Sequence, residues 1–230
     1  MNALRPAQIN HKALKTIKQD IQNLSPHPNK VKIIAVTKTF TCTAIQEAES
    51  FGIYNIGENK IQETEKKLLN KKINKRTNLH FIGTLQSNKI KKAIKIYRVI
   101  QSVDSIVKAE KINKAATQIN KKQQTYLQIN IGKDDKKRGF TKENIYESCK
   151  KIKKLKNISI NGIMTILPQN IKEKTIKKLY LETKKIQEKI LTNHFITCTE
   201  TSMGMSGDYQ IALVCGATYI RIGTRLFGKR

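Results

Sequence analysis

What this 230-residue chain lacks narrows it first. No run of apolar residues is long enough to cross a membrane, which takes about 20. The start, Met1 to Leu24, has no apolar core of the kind a secretory signal needs. The four cysteines, Cys42, Cys149, Cys198 and Cys215, stand far apart and form no CxxC pair. That argues against a zinc site and a disulfide framework, and suits a reducing cytoplasm. Acidic residues are scarce: 17 Asp and Glu face 45 Lys and Arg, for a formal net charge of +28. Such a charge invites a nucleic-acid reading. Aromatic content is only 6%, however, with no base-stacking motif. The lysines are also scattered through every candidate helix rather than gathered into an arm. Lys, Ile and Asn are abundant together, as AT-rich coding produces. The charge therefore reads as solvated faces with an incidental affinity for polyanions. No internal repeat, long linker or low-complexity tract divides the chain, so one domain over residues 1–230 is expected.

What is present is organised around Val31-Lys32-Ile33-Ile34-Ala35-Val36-Thr37-Lys38. Six of these eight residues are β-branched or alanine, which predicts a buried strand. Alternation places Ile34, Val36 and Lys38 on one side, so Lys38 extends an apolar row. A lysine there is either a strand-end ammonium reaching for water or an amine desolvated by its neighbours. The second kind is able to form a Schiff base with an aldehyde.

Before this strand, Met1 to Asp20 is basic and acid-poor, a composition shared with transit peptides. Yet Ile9, Ala13, Ile17 and Ile21 recur every four residues, with Leu14 and Leu24 widening the stripe, which predicts an ordinary first helix. Ser25-Pro26-His27-Pro28-Asn29 stops it. After it, short apolar runs alternate with longer lysine-rich amphipathic ones. Strands are expected at Ile33–Lys38, Tyr54–Ile56, Leu79–Ile82, Val99–Val103, Thr125–Ile131, Ile158–Met164, Phe195–Thr199 and Tyr219–Ile222. Helices are expected between them at Ala44–Ser50, Ile61–Leu69, Ile90–Tyr97, Ile106–Ile119, Ile145–Leu155, Ile176–Leu191 and Tyr209–Cys215, with Ser87 and Asp104 as caps. Eight strands alternating with helices imply a parallel sheet with right-handed crossovers. At this length the count closes into an α/β fold of the single (β/α)8 TIM-barrel type with an extra N-terminal helix. A doubly wound open sheet is the alternative.

In such a barrel, chemistry sits at the carboxyl ends of the strands. Those ends carry Lys38, Gly57-Glu58-Asn59, Gly83 to Asn88, Met164-Thr165, Glu200 to Gly207, and Arg221-Ile222-Gly223-Thr224. The last two groups follow strands seven and eight, where barrels commonly bind phosphate. Ser202, Gly204, Ser206, Gly223 and Thr224 are small or hydroxyl-bearing, as a phosphate cup requires. A reactive lysine, such a cup and an arginine between them describe a pyridoxal-phosphate site.

The motifs carry a resemblance over nearly the whole chain. They are Ile34-Ala35-Val36-Thr37-Lys38, Ile56-Gly57-Glu58-Asn59, His80 to Lys89, Gln128-Ile129-Asn130, Lys137-Arg138-Gly139, Asn161-Gly162-Ile163-Met164, Ser202 to Ser206, and Arg221-Ile222-Gly223-Thr224. In order and spacing they resemble the pyridoxal-phosphate homeostasis protein family, relatives of the amino-terminal barrel of alanine racemase. Two departures stand out. Arg138 occupies a position where a small residue is common, and Gly207-Asp208-Tyr209 replaces a more acidic run.

The resemblance implies pyridoxal 5'-phosphate as cofactor, bound covalently to Lys38. Ser202, Ser206, Gly223 and Thr224, with Gly204 in the same turn, would hold the phosphate. Arg221 would face the pyridine nitrogen, and Asn59, His80 and Met164 would line the pocket. Each role has an alternative: His80 as a hydrogen-bonded histidine inside the barrel, Asn59 as a helix cap, Met164 as core packing. Glu58 is either an acid/base group or a structural ion pair. The expected function is a cytoplasmic cofactor carrier or buffer without turnover. It would be a monomer or weak dimer that hands its cofactor to dependent apo-enzymes, with no specific nucleic acid, no metal and no membrane. An amino-acid racemase and a basic nucleic-acid-binding protein are the alternatives. The racemase needs an acid/base group on the opposite ring face, which resembling enzymes take from an added domain of another subunit. A chain ending at Arg230 is expected to lack that domain.

Overall fold

In the computed structural model, which describes residues 4–69, 72–135, 137–194 and 197–228, eight parallel strands close into a barrel in sequence order. They are β1 (Lys32–Val36), β2 (Asn55–Glu58), β3 (Asn78–Phe81), β4 (Val99–Val103), β5 (Gln123–Ile129), β6 (Ile158–Thr165), β7 (Glu200–Met205) and β8 (Tyr219–Ile222). Closure runs through β1 and β8, with Lys32 opposite Tyr219 and Ile34 opposite Arg221. The helices between strands are α2 (Thr43–Ser50), α3 (Ile61–Leu68), α4 (Ile90–Ile96), α5 (Ile106–Thr117), α6 (Ile145–Lys153), α7 (Glu173–His194) and α8 (Tyr209–Val214). The TIM-type barrel is therefore as expected, and the open-sheet alternative falls.

The expected first helix is α1 (His11–Leu24), capped by Asn10 Oδ1 accepting from Ala13 N at 2.9 Å. It buries Leu14, Ile17 and Ile21. No described helix is long and apolar enough to cross a membrane.

Alternation divides the core into two layers. Outward-facing residues such as Ala35, Ile56 and Ile220 meet the helices in one large apolar cluster. Ile34 and Val36 instead join Val99, Tyr126, Met164 and Tyr219 in a small cluster inside the barrel. That interior is only partly apolar: His80, Gln101, Ser202 and Arg221 are buried with it.

Four sequence expectations shift. Strand seven is Glu200–Met205, not Phe195–Thr199; Phe195 and Ile196 lie outside the described residues. The apolar run there carries the pattern of a strand, whereas the true strand is small and polar because it faces a polar interior. Gly204 in it has φ +86°, and a Cβ there would stand 2.5 Å from Ala212 Cβ of α8. Strand one stops at Val36, so Lys38 sits in the turn beyond it. Ser87 begins a 3-10 turn without side-chain capping, and Ser105, not Asp104, caps α5 by accepting from Lys108 N. A further short helix, α9 (Thr224–Phe227), follows β8, beyond the last helix expected; four residues are too few for periodicity to register.

Candidate functional site

The strand ends surround a cleft of about 590 Å³, within the ~300–1,000 Å³ usual for small-molecule sites. Lys38 and Val36 come from the β1 end, and Asn59 from beyond β2. Ser206, Gly207, Arg221, Gly223 and Thr224 form the neighbouring wall, from β7 and β8. Gln128, Lys137 and Arg138 complete the rim after β5. Of the expected site residues, the cleft thus brings together Lys38, Asn59, Ser206, Arg221, Gly223 and Thr224.

His80, Met164, Ser202 and Gly204 are not among its lining residues. Met164 is packed in the apolar cluster inside the barrel. Ser202 and Gly204 belong to β7 rather than to a loop, which draws them away from the mouth. Ser202 is fully buried. It donates to Gln101 Oε1 at 2.7 Å and accepts from Arg221 Nη1 at 2.8 Å. His80 lies mid-strand in β3, in hydrogen-bond reach of Asn55 Oδ1 at 3.2 Å and Gln101 Nε2 at 3.0 Å. Burial, with Lys32 and Arg98 adding repulsion, lowers its pKa to about 3.

The turn bearing Lys38 is clamped from behind. Thr37 Oγ1 donates to Glu58 Oε1 at 2.6 Å, and Thr39, in the left-handed region at φ 71°, donates its N–H to Glu63 Oε1 at 2.5 Å. Lys67 Nζ ties the two carboxylates together, at 2.6 Å from Glu58 and 2.8 Å from Glu63, and donates to Thr37 O at 2.8 Å. Glu58 is therefore a buried ion-pair partner facing α3, not an acid or base at the cleft. Burial pushes its carboxyl above the ordinary range, opposed by Lys67 and Thr37. Asn59 does not cap α3, whose N-cap is Lys60 without a side-chain bond. Its Oδ1 is instead a buried acceptor with no partner.

On the wall formed beyond β7 and β8, Ser206 Oγ accepts the backbone N–H groups of Gly223 and Arg225, each at 3.3 Å. Asp208 holds the same turn, accepting from Met205 N at 2.6 Å and Tyr180 OH at 2.8 Å. Arg221 is buried, and burial lowers its pKa. It donates to Ser202 Oγ and to Thr165 O, the latter at 2.7 Å. A guanidinium has five N–H donors, so Arg221 retains donors for a ligand. Among the described residues lining the cleft, Lys38, Lys137, Arg138 and Arg221 are cations and none is an Asp or Glu.

The site suits a small molecule bearing negative charge, an acceptor for Arg221 and a donor for Asn59. Pyridoxal phosphate fits that description, and Lys38 supplies the amine its aldehyde requires. Sequence reading missed Gln101, Lys67, Glu63 and Thr37. The first had a visible signal, a polar side chain inside the apolar run Val99–Val103. Lys67 falls three and six residues after Thr64 and Ile61, on the buried face of α3.

The barrel and its mouth define the broad class first. The model of the alanine racemase N-terminal domain matches residues 9–230, and the chain belongs to that family. Within it, the chain stands with the pyridoxal phosphate homeostasis proteins. It is 39% identical to the one from Synechocystis sp., over 88% of this chain and 93% of that protein. It is 31% identical to the one from Aquifex aeolicus, over 95% and 96% respectively. Among solved structures, PipY of Synechococcus elongatus with PLP bound has a TM-score of 0.82 at 30% identity, covering 94% of this chain and 99% of PipY. An alanine racemase from Clostridium difficile matches with a TM-score of 0.75 at 17% identity, covering 98% of this chain and 59% of the enzyme. At that identity the likeness is one of fold. The family resemblance read from the motifs is borne out.

Proposed function

We propose that this protein binds pyridoxal 5'-phosphate in the cleft and acts as an intracellular carrier and buffer of it. One observation carries the reading: the Lys38 amine, the buried Arg221 and a serine- and glycine-bounded turn line the same small cleft, and none of the described residues lining it is an Asp or Glu. The names of the homeostasis relatives and the PLP-bound PipY structure support it.

Bound, the cofactor supplies an aldehyde that condenses reversibly with a primary amine. Lys38 is the amine, and the clamp of Glu58, Lys67 and Glu63 fixes the turn that presents it. Ser206, Gly223 and Thr224 would hold the phosphate. Arg221 would donate to the ring nitrogen while keeping its own proton, because guanidinium does not deprotonate in proteins. Leaving that nitrogen unprotonated would disfavour carbanion chemistry.

No turnover is expected, for a second reason too. Racemisation by two bases needs a proton carrier on each face of the ring. Among the described lining residues, the titratable groups are Lys38, Lys137, Arg138 and Arg221. Lys137 is engaged by Leu167 O and Asp134. Lys38 would instead hold the cofactor reversibly, as a carrier that serves apo-enzymes requires.

Borohydride reduction of the loaded protein followed by peptide mapping tests the site. The label is expected on Lys38 and lost in Lys38→Ala; labelling mainly at another lysine overturns the assignment. Incubation with both enantiomers of several amino acids tests the rest. Rapid racemisation abolished by Lys38→Ala would make this protein an enzyme.

A further inference from the structure

Behind Arg221 a chain of buried polar groups crosses the barrel from one side to the other. Arg221 Nη1 reaches Ser202 Oγ at 2.8 Å, Ser202 reaches Gln101 Oε1 at 2.7 Å, and Gln101 Nε2 reaches His80 Nδ1 at 3.0 Å. His80 Nε2 reaches Asn55 Oδ1 at 3.2 Å. These residues come from β8, β7, β4, β3 and β2, so the chain ties five strands together.

The direction of every proton in it follows from one end. Guanidinium only donates, so Ser202 Oγ accepts from Arg221. The Ser202 hydroxyl, fully buried, then needs an acceptor, and Gln101 Oε1 is the one within reach. That orientation turns the Gln101 amide N–H toward His80, whose Nδ1 must accept. Nε2 therefore carries the proton and donates to Asn55 Oδ1.

We infer that Gln101 and His80 are positioning residues for Arg221: they form a neutral, direction-locked relay that fixes the guanidinium through Ser202 without neutralising it. A carboxylate in the relay would pair with Arg221 and satisfy the donors now left for the cleft. An amide and a neutral imidazole give it geometry and no counter-charge. Burial beside Lys32 and Arg98 keeps the imidazole uncharged. Around it stand Lys32 on β1, Arg98 ahead of β4 and Tyr219 on β8, with Glu200 of β7 beyond Tyr219.

The proposal rests on Arg221 facing the ligand, and its test separates the two claims. Nitrogen-15 spectra of ligand-free protein report the His80 tautomer with no cofactor present. The neutral Nε2–H form is expected throughout about pH 5 to 8. Gln101→Glu replaces the amide donor by a carboxylate and should move the proton to Nδ1. An imidazolium, or an Nδ1–H form, in the unaltered protein would overturn the relay. For its effect on Arg221, the exchange-protected guanidinium N–H signals should be lost in Gln101→Met and in Ser202→Ala. Both variants should bind pyridoxal phosphate about tenfold more weakly, as loss of a hydrogen bond at a charged group implies. Two variants are used because either could fail to fold. Arg221 signals unchanged in a folded variant would refute the positioning role. Failure of the unaltered protein to bind pyridoxal phosphate would refute the functional reading alone, leaving the relay to be decided by the tautomer and the guanidinium signals.

Discussion

Two buried cations flank the cleft, and they are treated in opposite ways. Lys67, behind β1, is held by two carboxylates and a backbone carbonyl. Arg221, on the neighbouring strand β8, is held by a hydroxyl and a carbonyl, with no carboxylate among the described residues in contact; Asp208 acts on it only through space. Desolvating a charge is costly unless partners compensate for it. Lys67 is compensated within the protein and does nothing at the cleft except fix a turn. Arg221 is compensated only in part, and it keeps donors that a ligand in the cleft could take. The contrast teaches that burial and charge alone do not separate a cation closed within the protein from one left open toward a cleft.

The largest effect should come from breaking the compensated pair. Lys67→Met strands Glu58 and Glu63, of which Glu58 is fully buried. A loss of about 3–5 kcal/mol in unfolding free energy is expected from a buried ion pair deprived of one partner. Urea titration measures it, and a loss under 1 kcal/mol would mean the cluster relaxes into water. Cofactor affinity should fall as well, since Thr37 and Thr39 beside Lys38 lose their anchor.

Arg221→Met should invert that pattern. No carboxylate is orphaned, and a desolvated charge is removed while Ser202 Oγ and Thr165 O lose a donor. These effects oppose one another, so stability should change by no more than about 1.5 kcal/mol. Pyridoxal phosphate affinity should drop about tenfold or more. A variant as unstable as Lys67→Met would erase the distinction between the two cations.

How far the sequence could anticipate this differs between the same two regions. The barrel was legible because Ile34, Val36, Ile56, Leu79 and Ile220 alternate or cluster as parallel strands require. Lys38 and Arg221 were legible because each interrupts or extends such an apolar pattern. Ser202 and Gly204 were misplaced, since a strand made of Glu, Thr, Ser, Met and Gly carries no apolar signature. Their neighbours explain it: Gly204 packs on α8, and Ser202 turns toward Gln101, which is 101 residues away in sequence. Partnerships of that range are invisible to any local pattern. The Lys67 cluster was hidden for a different reason, as one lysine among so many gives no signal beyond its place on the inner face of α3.

The smallest effect concerns the neutral imidazole at the end of the hydrogen-bond chain behind Arg221. His80 has a folded pKa of about 3, far below its ordinary value near 6.5. The unfolded chain therefore binds a proton at this residue on descending through about pH 6.5, while the folded protein does not. Protons bound by the unfolded state exceed those of the native state in that window, so stability rises with pH there and falls as pH drops. The stabilisation is complete above the unfolded pKa and disappears progressively down to about pH 3. One such group gives a slope of up to ~1.4 kcal/mol per pH unit. Between about pH 6.5 and 5, before most carboxylates titrate, that amounts to roughly 1–2 kcal/mol. His80→Gln retains a donor and an acceptor but cannot titrate, so it should flatten this part of the profile. Denaturant midpoints measured across the interval decide the matter. An equally steep profile in His80→Gln would assign the slope to another group and mean that the fold does not hold the imidazole neutral, so that a second uncompensated cation would join Arg221 inside the barrel.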